Sequence, residues 1–496
     1  MSAEKYILSI DQSTSCTKAL LFDKNGGLKG RFDLPHKQIV LENGWVEHDP
    51  IEIYTNLIQS VRSVIKTSGI DQNDIVGVGI SNQRETAIAW DKITGEPILN
   101  AIVWQCARGE AICKRIASSG HSETIKKTTG IPLSPYYSAA KLAWILENVP
   151  LAKEKAKTSN LCCSTMDSWL LWKLVGGSPK TDYSNASRTQ LFNIQTLEWD
   201  KEVCEMFGVS LDMLPEVCDS NSLFGVTDFD GTLDKKTPVH SILGDSHGAL
   251  YGQGCLNPGM TKATYGTGSS VMMNIGTKPV FSDKGIVTSL AWRMSGKVNY
   301  VLEGNINYTG AVIKWLIEDL KLIQSAKETE ILAREAKNTE GLYLVPAFSG
   351  LGAPYWEGDA KAMIYGMTRQ TGKAEIVRAA EECIAYQIAD IVNLMGEETG
   401  IKLQTFKVDG GATKDSFLMQ FQSDIVNAAV QVPDIEELSG SGPAYAAGIA
   451  LGIYDERTIF QRNLSAEYSP QMDVEQRNRL YTGWKNAVSM VLGASK

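Results

Sequence analysis

Asp11 ends an apolar run and is followed at once by a hydroxyl-rich stretch, Gln12-Ser-Thr-Ser-Cys-Thr-Lys18. A carboxylate beside hydroxyls suits Mg²⁺, which takes oxygen ligands and usually keeps several waters. At a turn, backbone N–H groups and the hydroxyls of Thr14 and Ser15 can converge on phosphate oxygens, and Lys18 can neutralise one. An Asx-type turn is the competing reading of the same residues. A second stretch, Gly266-Thr267-Gly268-Ser269-Ser270, joins with Asp409-Gly410-Gly411-Ala412 in suiting a nucleotide. Glycines let the backbone approach a ligand closely, and a following helix start favours anions. Either glycine stretch alone reads as a simple turn, and their joint occurrence carries the argument.

In Leu243-Gly-Asp245-Ser246-His247, a carboxylate at a strand end is placed to accept a proton from a substrate hydroxyl. Phosphoryl transfer asks little covalent chemistry of a protein, so one base, positioning and Mg²⁺ suffice. The alternative for Asp245 is a helix N-cap, and a lone His247 beside it reads as structural. A substrate ring is proposed from Arg84 and Glu85 of Asn82-Gln-Arg-Glu, whose charges suit adjacent hydroxyls. Trp104 and Tyr136 can cover an apolar C–H face.

These residues need elements to hold them. Tyr6–Ile10 and Ala19–Phe22 read as two strands around the first hydroxyl-rich turn, and Asp23-Lys-Asn-Gly-Gly27 as the next turn. The pattern returns at Met260–Tyr265 and Val271–Ile275 around the glycine turn, so two phosphate-type hairpins lie about one domain length apart. Such a duplication predicts two related domains facing each other. Ile75–Ser81 reads as a buried strand. Helices are expected over Ala140–Asn148, Met166–Leu174, Glu375–Met395 and Phe417–Val426, with Trp169 and Trp172 facing the core. Gly341–Phe348 and Phe406–Val408 read as further strands. Alternating strands and helices predict α/β domains, with an approximate boundary near residue 250, giving units 1–250 and 251–496.

Composition narrows the partners. A chain of 496 residues is long enough for about two cores without disulfides or structural metal. The net charge of −9 recommends neither nucleic acid nor an anionic membrane. Nine cysteines without a CxxC pair read as free thiols in a reducing cytosol, and five histidines show no metal-ligand spacing. No basic, apolar leader and no run of about 18 apolar residues is visible, so a cytoplasmic location is expected.

At this point the residues match a family. The chain resembles the FGGY carbohydrate kinases, and among them those that phosphorylate glycerol, nearly end to end from Ser9-Ile-Asp-Gln12 to Tyr481-Thr-Gly-Trp-Lys485. Gly44–Pro50, Asn82–Thr86, Ala101–Cys106, Thr181–Thr189 and Pro346–Trp356 carry the likeness, with Tyr136–Asn148 and Ala362–Glu382. The resemblance implies two actin-like (ribonuclease H-like) α/β domains with the active site in the cleft between them, closing on MgATP and substrate. It implies Asp245 as general base and Asp11 on the Mg²⁺ side. Thr14, Ser15, Lys18, Thr267, Gly310 and Gly411, beside Ala412, fall at nucleotide-contacting positions. Arg84, Glu85, Trp104, Tyr136 and Asp245 match substrate-contacting ones.

The chain departs from the family pattern at Ser246, where an amide is usual, and at Ser270, where an aromatic is usual. Lys18 stands for an arginine, and Asp415 and Ser416 stand near an expected amide at the adenine. Ser246 and Ser270 therefore belong with the substrate contacts, and a widened pocket would admit a four- or five-carbon polyol or ketose such as erythritol, xylitol, xylulose or ribulose. An actin-like ATPase would keep both hairpins but has no use for the Arg84–Glu85–Trp104–Tyr136 ring. By analogy with the family, a homo-oligomer (dimer or tetramer) is expected.

Overall fold

The computed structural model describes residues 4–337, 341–435, 437–461 and 464–495. Two large twisted sheets organise it. The first contains β1 (Tyr6–Gln12), β2 (Cys16–Phe22), β3 (Leu28–Pro35), β4 (Ile75–Asn82), β5 (Gly225–Thr227) and β6 (Thr237–Gly244), in the order β5-β6-β4-β1-β2-β3. Strands β1, β2 and β3 form an antiparallel meander, while β1, β4 and β6 run parallel. β1 is buried along its whole length, as an apolar run closed in on both faces must be.

The second sheet repeats the design. It holds β7 (Met260–Tyr265), β8 (Ser269–Gly276), β9 (Val287–Met294), β10 (Lys297–Ile306), β11 (Thr405–Gly410), β12 (Val430–Pro433) and β13 (Leu464–Tyr468). Their order is β9-β10-β8-β7-β11-β12-β13, again an antiparallel hairpin whose first strand pairs in parallel with a later one. A smaller five-stranded sheet, built on Ala87–Asp91 and Leu161–Thr165, extends the first half. This is the expected α/β class with two actin-like sheets.

The helices follow their local chemistry. In α1 (Pro50–Ser68), Asp49 caps Ile51 N at 2.8 Å, Pro50 sits in the first turn, and Gly69 ends the helix in the left-handed region. The expected helices appear as α2 (Ser138–Asn148), Met166–Val175, α6 (Lys373–Thr399) and α7 (Ser416–Val426). Between them come α3 (Asp245–Gly252), α4 (Gly310–Glu318) and α5 (Lys327–Glu335). Trp169 is fully buried and Trp172 packs partly buried against the same core.

One expectation is corrected. The turn between the strands expected at Tyr6–Ile10 and Ala19–Phe22 is shorter, because β1 runs on through Gln12 and β2 begins at Cys16. Asp11 and Lys18 are direct cross-strand partners, and their opposite charges extend the ladder past the apolar run. Only Ser13–Ser15 remain as the tip, closed by Ser13 donating from N and Oγ to Cys16 O.

Helix α8 (Leu438–Ala450) lies late in the chain yet packs on β1, β4 and β6 and against α3. The contact is backbone on backbone. A Cβ on Gly442 would stand 2.0 Å from Gly248 O of α3, and one on Gly79 of β4 would stand 2.4 Å from Pro443 O. Since α3 begins with Asp245, this contact sets where that carboxylate sits. Gly442→Ala is expected to destabilise the protein by roughly 1–3 kcal/mol through overpacking. Urea midpoints of the two proteins check this, and an unchanged midpoint would mean α8 can back away freely.

Candidate active site

Two cavities open between and beside the sheets, meeting at Gly266. The first, of about 470 Å³, gathers residues from six elements and loops: Thr14, Arg84, Glu85, Trp104, Tyr136, Asp245, Ser246 and Ser270 all line it. The eight are spread over more than 250 positions of chain and come together only through the fold. Trp104 and Tyr136 stand edge to face with centroids 5.5 Å apart, and Trp104 Nε1 donates to Thr14 Oγ1 at 3.0 Å. Buried Lys141 reaches back from α2 and donates to the carbonyls of Pro135 (2.8 Å), Tyr136 (2.5 Å) and Tyr137 (3.1 Å), fixing the loop that carries Tyr136.

Glu303 of β10, fully buried, is the anchor that sequence reading missed. Arg84 Nη1 and Nη2 donate to its two oxygens, both at 2.9 Å, and Arg188 Nη1 lies 3.0 Å away. Burial works to raise the Glu303 carboxyl, but the two guanidiniums prevail and hold it well below the usual range. Arg84 Nε, in turn, is 3.2 Å from Asp245 Oδ1, and Arg188 Nε is 2.6 Å from Glu85 Oε1. Glu85 is held with φ of +59°, a conformation non-glycine residues rarely adopt and one that clusters at functional sites.

Asp245 is the first residue of α3, with Gly244 in the capping position, so it does not serve as an N-cap. Its Oδ1 accepts from Ser246 N at 2.6 Å. Desolvation in the cleft pushes the Asp245 carboxyl up, against the pull of Arg84. His247 is fully buried beneath it, its Nε2 3.5 Å from Ser289 Oγ, and lines neither cavity. Burial lowers the His247 imidazole well below its ordinary value, which suits a neutral structural role.

Lys262 of β7 is a further cation that the sequence reading assigned no role. It lines the first cavity, is 1% exposed, and donates to Thr264 Oγ1 at 3.0 Å. Asp409 accepts from Thr264 Oγ1 (3.1 Å) and Gln253 Nε2 (2.5 Å). Asn305 and Asn307 also line this cavity.

The second cavity, of about 710 Å³, is lined by Thr267, Gly310, Gly411 and Ala412, with Ile313, Ile317, Ile384 and Leu418 as an apolar bed. Gly310 N donates to Gly266 O and Ala311 N to Thr267 O, both at 3.0 Å, so the start of α4 is tied to the glycine hairpin. Gly410 has φ of +99°, and a Cβ there would stand 2.1 Å from Tyr265 O, so only glycine fits.

Three residues grouped at the nucleotide by sequence do not line the second cavity. Thr14 faces the first cavity, Ser15 is exposed at the hairpin tip, and Lys18 lines neither cavity. Lys18 is held by Asp11 Oδ2 at 3.1 Å and Glu437 Oε2 at 2.7 Å, and Glu437 also pairs with Arg31. Asp11 Oδ1 remains buried without a partner, and among the described residues no three His, Cys, Asp or Glu side chains form a metal cage. One free carboxylate oxygen suits Mg²⁺, which leans on water and substrate phosphates for its other ligands.

Two sheets of one design, a carboxylate at the start of a helix in a cavity lined by charged, hydroxyl and aromatic side chains, and a larger apolar cavity beyond a glycine hairpin define a phosphotransferase of the actin-like class. The descriptions of the FGGY family of carbohydrate kinases match residues 6–252 for its N-terminal domain and 261–451 for its C-terminal domain. The chain belongs to that family and is a carbohydrate kinase. It is 45% identical to a glycerol kinase of Staphylococcus epidermidis over 98% of both chains. Glycerol kinase 2 of Thermotoga maritima is 45% identical over 99% of this chain and all of that one. Among solved structures, Plasmodium falciparum glycerol kinase with ADP superposes with a TM-score of 0.94, at 37% identity and 98% coverage of each. A gluconate kinase of Lactobacillus acidophilus, 22% identical with a TM-score of 0.87 and covering 99% and 98%, shares the fold.

Glu303→Ala would leave two buried guanidiniums without their common partner and is expected to cost about 3–5 kcal/mol. Chemical denaturation measures this. A loss below about 1 kcal/mol would mean that Arg84 and Arg188 find other acceptors.

Proposed function

We propose that the protein transfers the γ-phosphoryl group of MgATP to a primary hydroxyl of glycerol, giving glycerol 3-phosphate and ADP. The observation that carries this reading is the convergence of Asp245, Arg84, Glu85, Trp104 and Tyr136 on one cavity. Full-length similarity to glycerol kinases supports it. Arg84 and Glu85 bond adjacent hydroxyls, and the Trp104–Tyr136 pair covers the carbon face. Asp245 takes the proton of the attacking hydroxyl as its oxygen bonds to phosphorus and the bond to ADP breaks. Arg84 keeps that carboxylate aimed.

The second cavity takes the nucleoside through Gly310, Gly411 and Ala412, and the Thr267 hairpin meets the phosphates. Ser15 and Lys18 stay in this reading as contacts made when the cleft closes. Asp11 would hold Mg²⁺, which when bound neutralises charge on the transferring phosphate. Residues 1–250 then form the substrate and first-hairpin unit and 251–496 the nucleotide unit, a division that the two family matches support.

A second reading, a longer polyol or ketose as substrate, is favoured by the polar lining of Ser246, Ser270, Asn305 and Asn307. Such contacts shift discrimination by about 1–3 kcal/mol each. A coupled ADP-release assay against glycerol, erythritol, xylitol, xylulose and ribulose separates the two. Glycerol is expected to give the highest kcat/KM, and a longer substrate winning by about tenfold or more would change the assignment.

In the same assay Asp245→Asn is expected to lower kcat by about 10²–10⁴-fold with an unchanged melting temperature, and persistent turnover would overturn the general-base role. Because desolvation raises the Asp245 carboxyl and the base must be ionised, kcat/KM should fall on acidification. The midpoint of that fall is expected above the value for an ordinary aspartate.

A further inference from the structure

The second cavity is lined by a buried carboxyl group whose neighbour is another carboxyl. Glu381 of α6 lines the cavity, is 1% exposed, and neither Oε1 nor Oε2 meets a hydrogen-bond donor. Beside it stands Asp415, which caps α7. Asp415 Oδ1 accepts from Leu418 N at 2.9 Å, and Oδ2 lies 3.1 Å from Thr329 Oγ1, whose one proton is shared with Ala326 O at 2.7 Å. Two carboxyl groups in contact can bond only if one carries a proton. Burial first, and then Asp415, push the Glu381 carboxyl up to about 9, so the proton belongs to Glu381. The other charged groups around it are Glu330, which is paired with Arg334, and Lys314, Lys327 and Lys414 on the cavity wall.

Protonated Glu381 donates and Asp415 accepts. Leu418 N and the protonated Glu381 then hold the Asp415 carboxylate in one orientation, with Thr329 Oγ1 alongside. Asp415 is half-buried and lines the cavity together with Ile313, Ile317 and Leu418, an apolar bed that suits a flat ring. A fixed acceptor beside a flat apolar slot selects a ring that carries an N–H donor at its edge. A ring carrying a keto oxygen at that edge would set acceptor against acceptor.

We propose that Glu381 is a positioning residue that locks the Asp415 carboxylate as the acceptor for the exocyclic amine of a nucleobase, so that adenine nucleotides are preferred over their 6-keto counterparts. The inference rests on the second cavity being the nucleotide site. It concerns selection between bases and leaves the phosphoryl transfer itself untouched.

The test compares kcat/KM for MgATP and MgITP with the best acceptor in the wild type, Glu381→Gln, Glu381→Leu and Asp415→Asn. The wild type is expected to prefer ATP by about tenfold or more. Glu381→Gln keeps an N–H donor toward Asp415 and should hold that ratio within about threefold. Glu381→Leu and Asp415→Asn should bring it near unity, through KM more than kcat, a selective change that a merely structural role for Glu381 would not give. A wild type that uses ATP and ITP equally overturns the proposal, as does a wild-type ratio in either Glu381→Leu or Asp415→Asn. Should Glu381→Leu fail to fold, Glu381→Gln and Asp415→Asn decide alone. Calorimetric binding of ATP to Ala412→Trp, which fills the cavity, separates the two levels. Binding that survives there overturns the nucleotide-site reading itself, whereas binding lost there with unchanged base ratios overturns only the role of Glu381.

Discussion

Glu303 reaches from the second sheet into the first half of the molecule and takes hold of two arginines there. Arg84 and Arg188 lie 104 positions apart in sequence, and each also touches a carboxylate of the cavity, Asp245 or Glu85. Taking such charges out of water is expensive, and the arrangement is tolerable only because every guanidinium faces carboxylates. The cost has a return in geometry. An arginine fixed by a bidentate bond at 2.9 Å cannot swing, so the carboxylate it meets at 3.2 Å is aimed by the second sheet as much as by its own helix.

The backbone shows the same economy of position. α8 comes late in the chain and closes on the first sheet and on α3, meeting both at glycines where backbone touches backbone. The core that joins the two sheets draws on Ile7, Leu20, Phe22 and Leu243 from the first half and Met272, Val301 and Ala444–Ala447 from the second. Close packing of this kind transmits displacement, because interiors at near-crystal density have little room to absorb it. Asp245 at the head of α3 is therefore positioned by two agents, the charge network on its side chain and the glycine contact along its helix.

Much of this was legible in the sequence, for reasons that differ residue by residue. Asp245, Arg84 and Glu85 follow buried strands at motif positions, and strand ends are where α/β sheets present side chains to a cleft. The hairpins were legible because two apolar strands around a polar turn leave few other arrangements. Glu303 was not, since a glutamate in an apolar strand carries no local signal and acquires meaning only from arginines 115 or more positions away. Arg188 lay within a stretch that resembled the family but had no visible partner. Lys262 was hidden in strand alternation. The pairing of Lys18 was hidden for a local reason: read as a residue just past a turn, it is a strand residue paired across the ladder with Asp11.

That pairing changes how an anion can be met. The start of α4 spends Gly310 N and Ala311 N on the carbonyls of the glycine hairpin. Lys18 is occupied by Asp11 and Glu437. Lys262 lines the first cavity together with Arg84 and Asp245, with burial lowering its ammonium against the pull of Asp409 and Glu303. A lysine whose charge is costly in the empty cleft gains most when a phosphate arrives to share it. The open cleft thus holds its cations in internal pairs, and a polyanion must compete for them. Binding energy is then spent on rearranging charge around the transferring group, where it favours the transition state over the bound ground state.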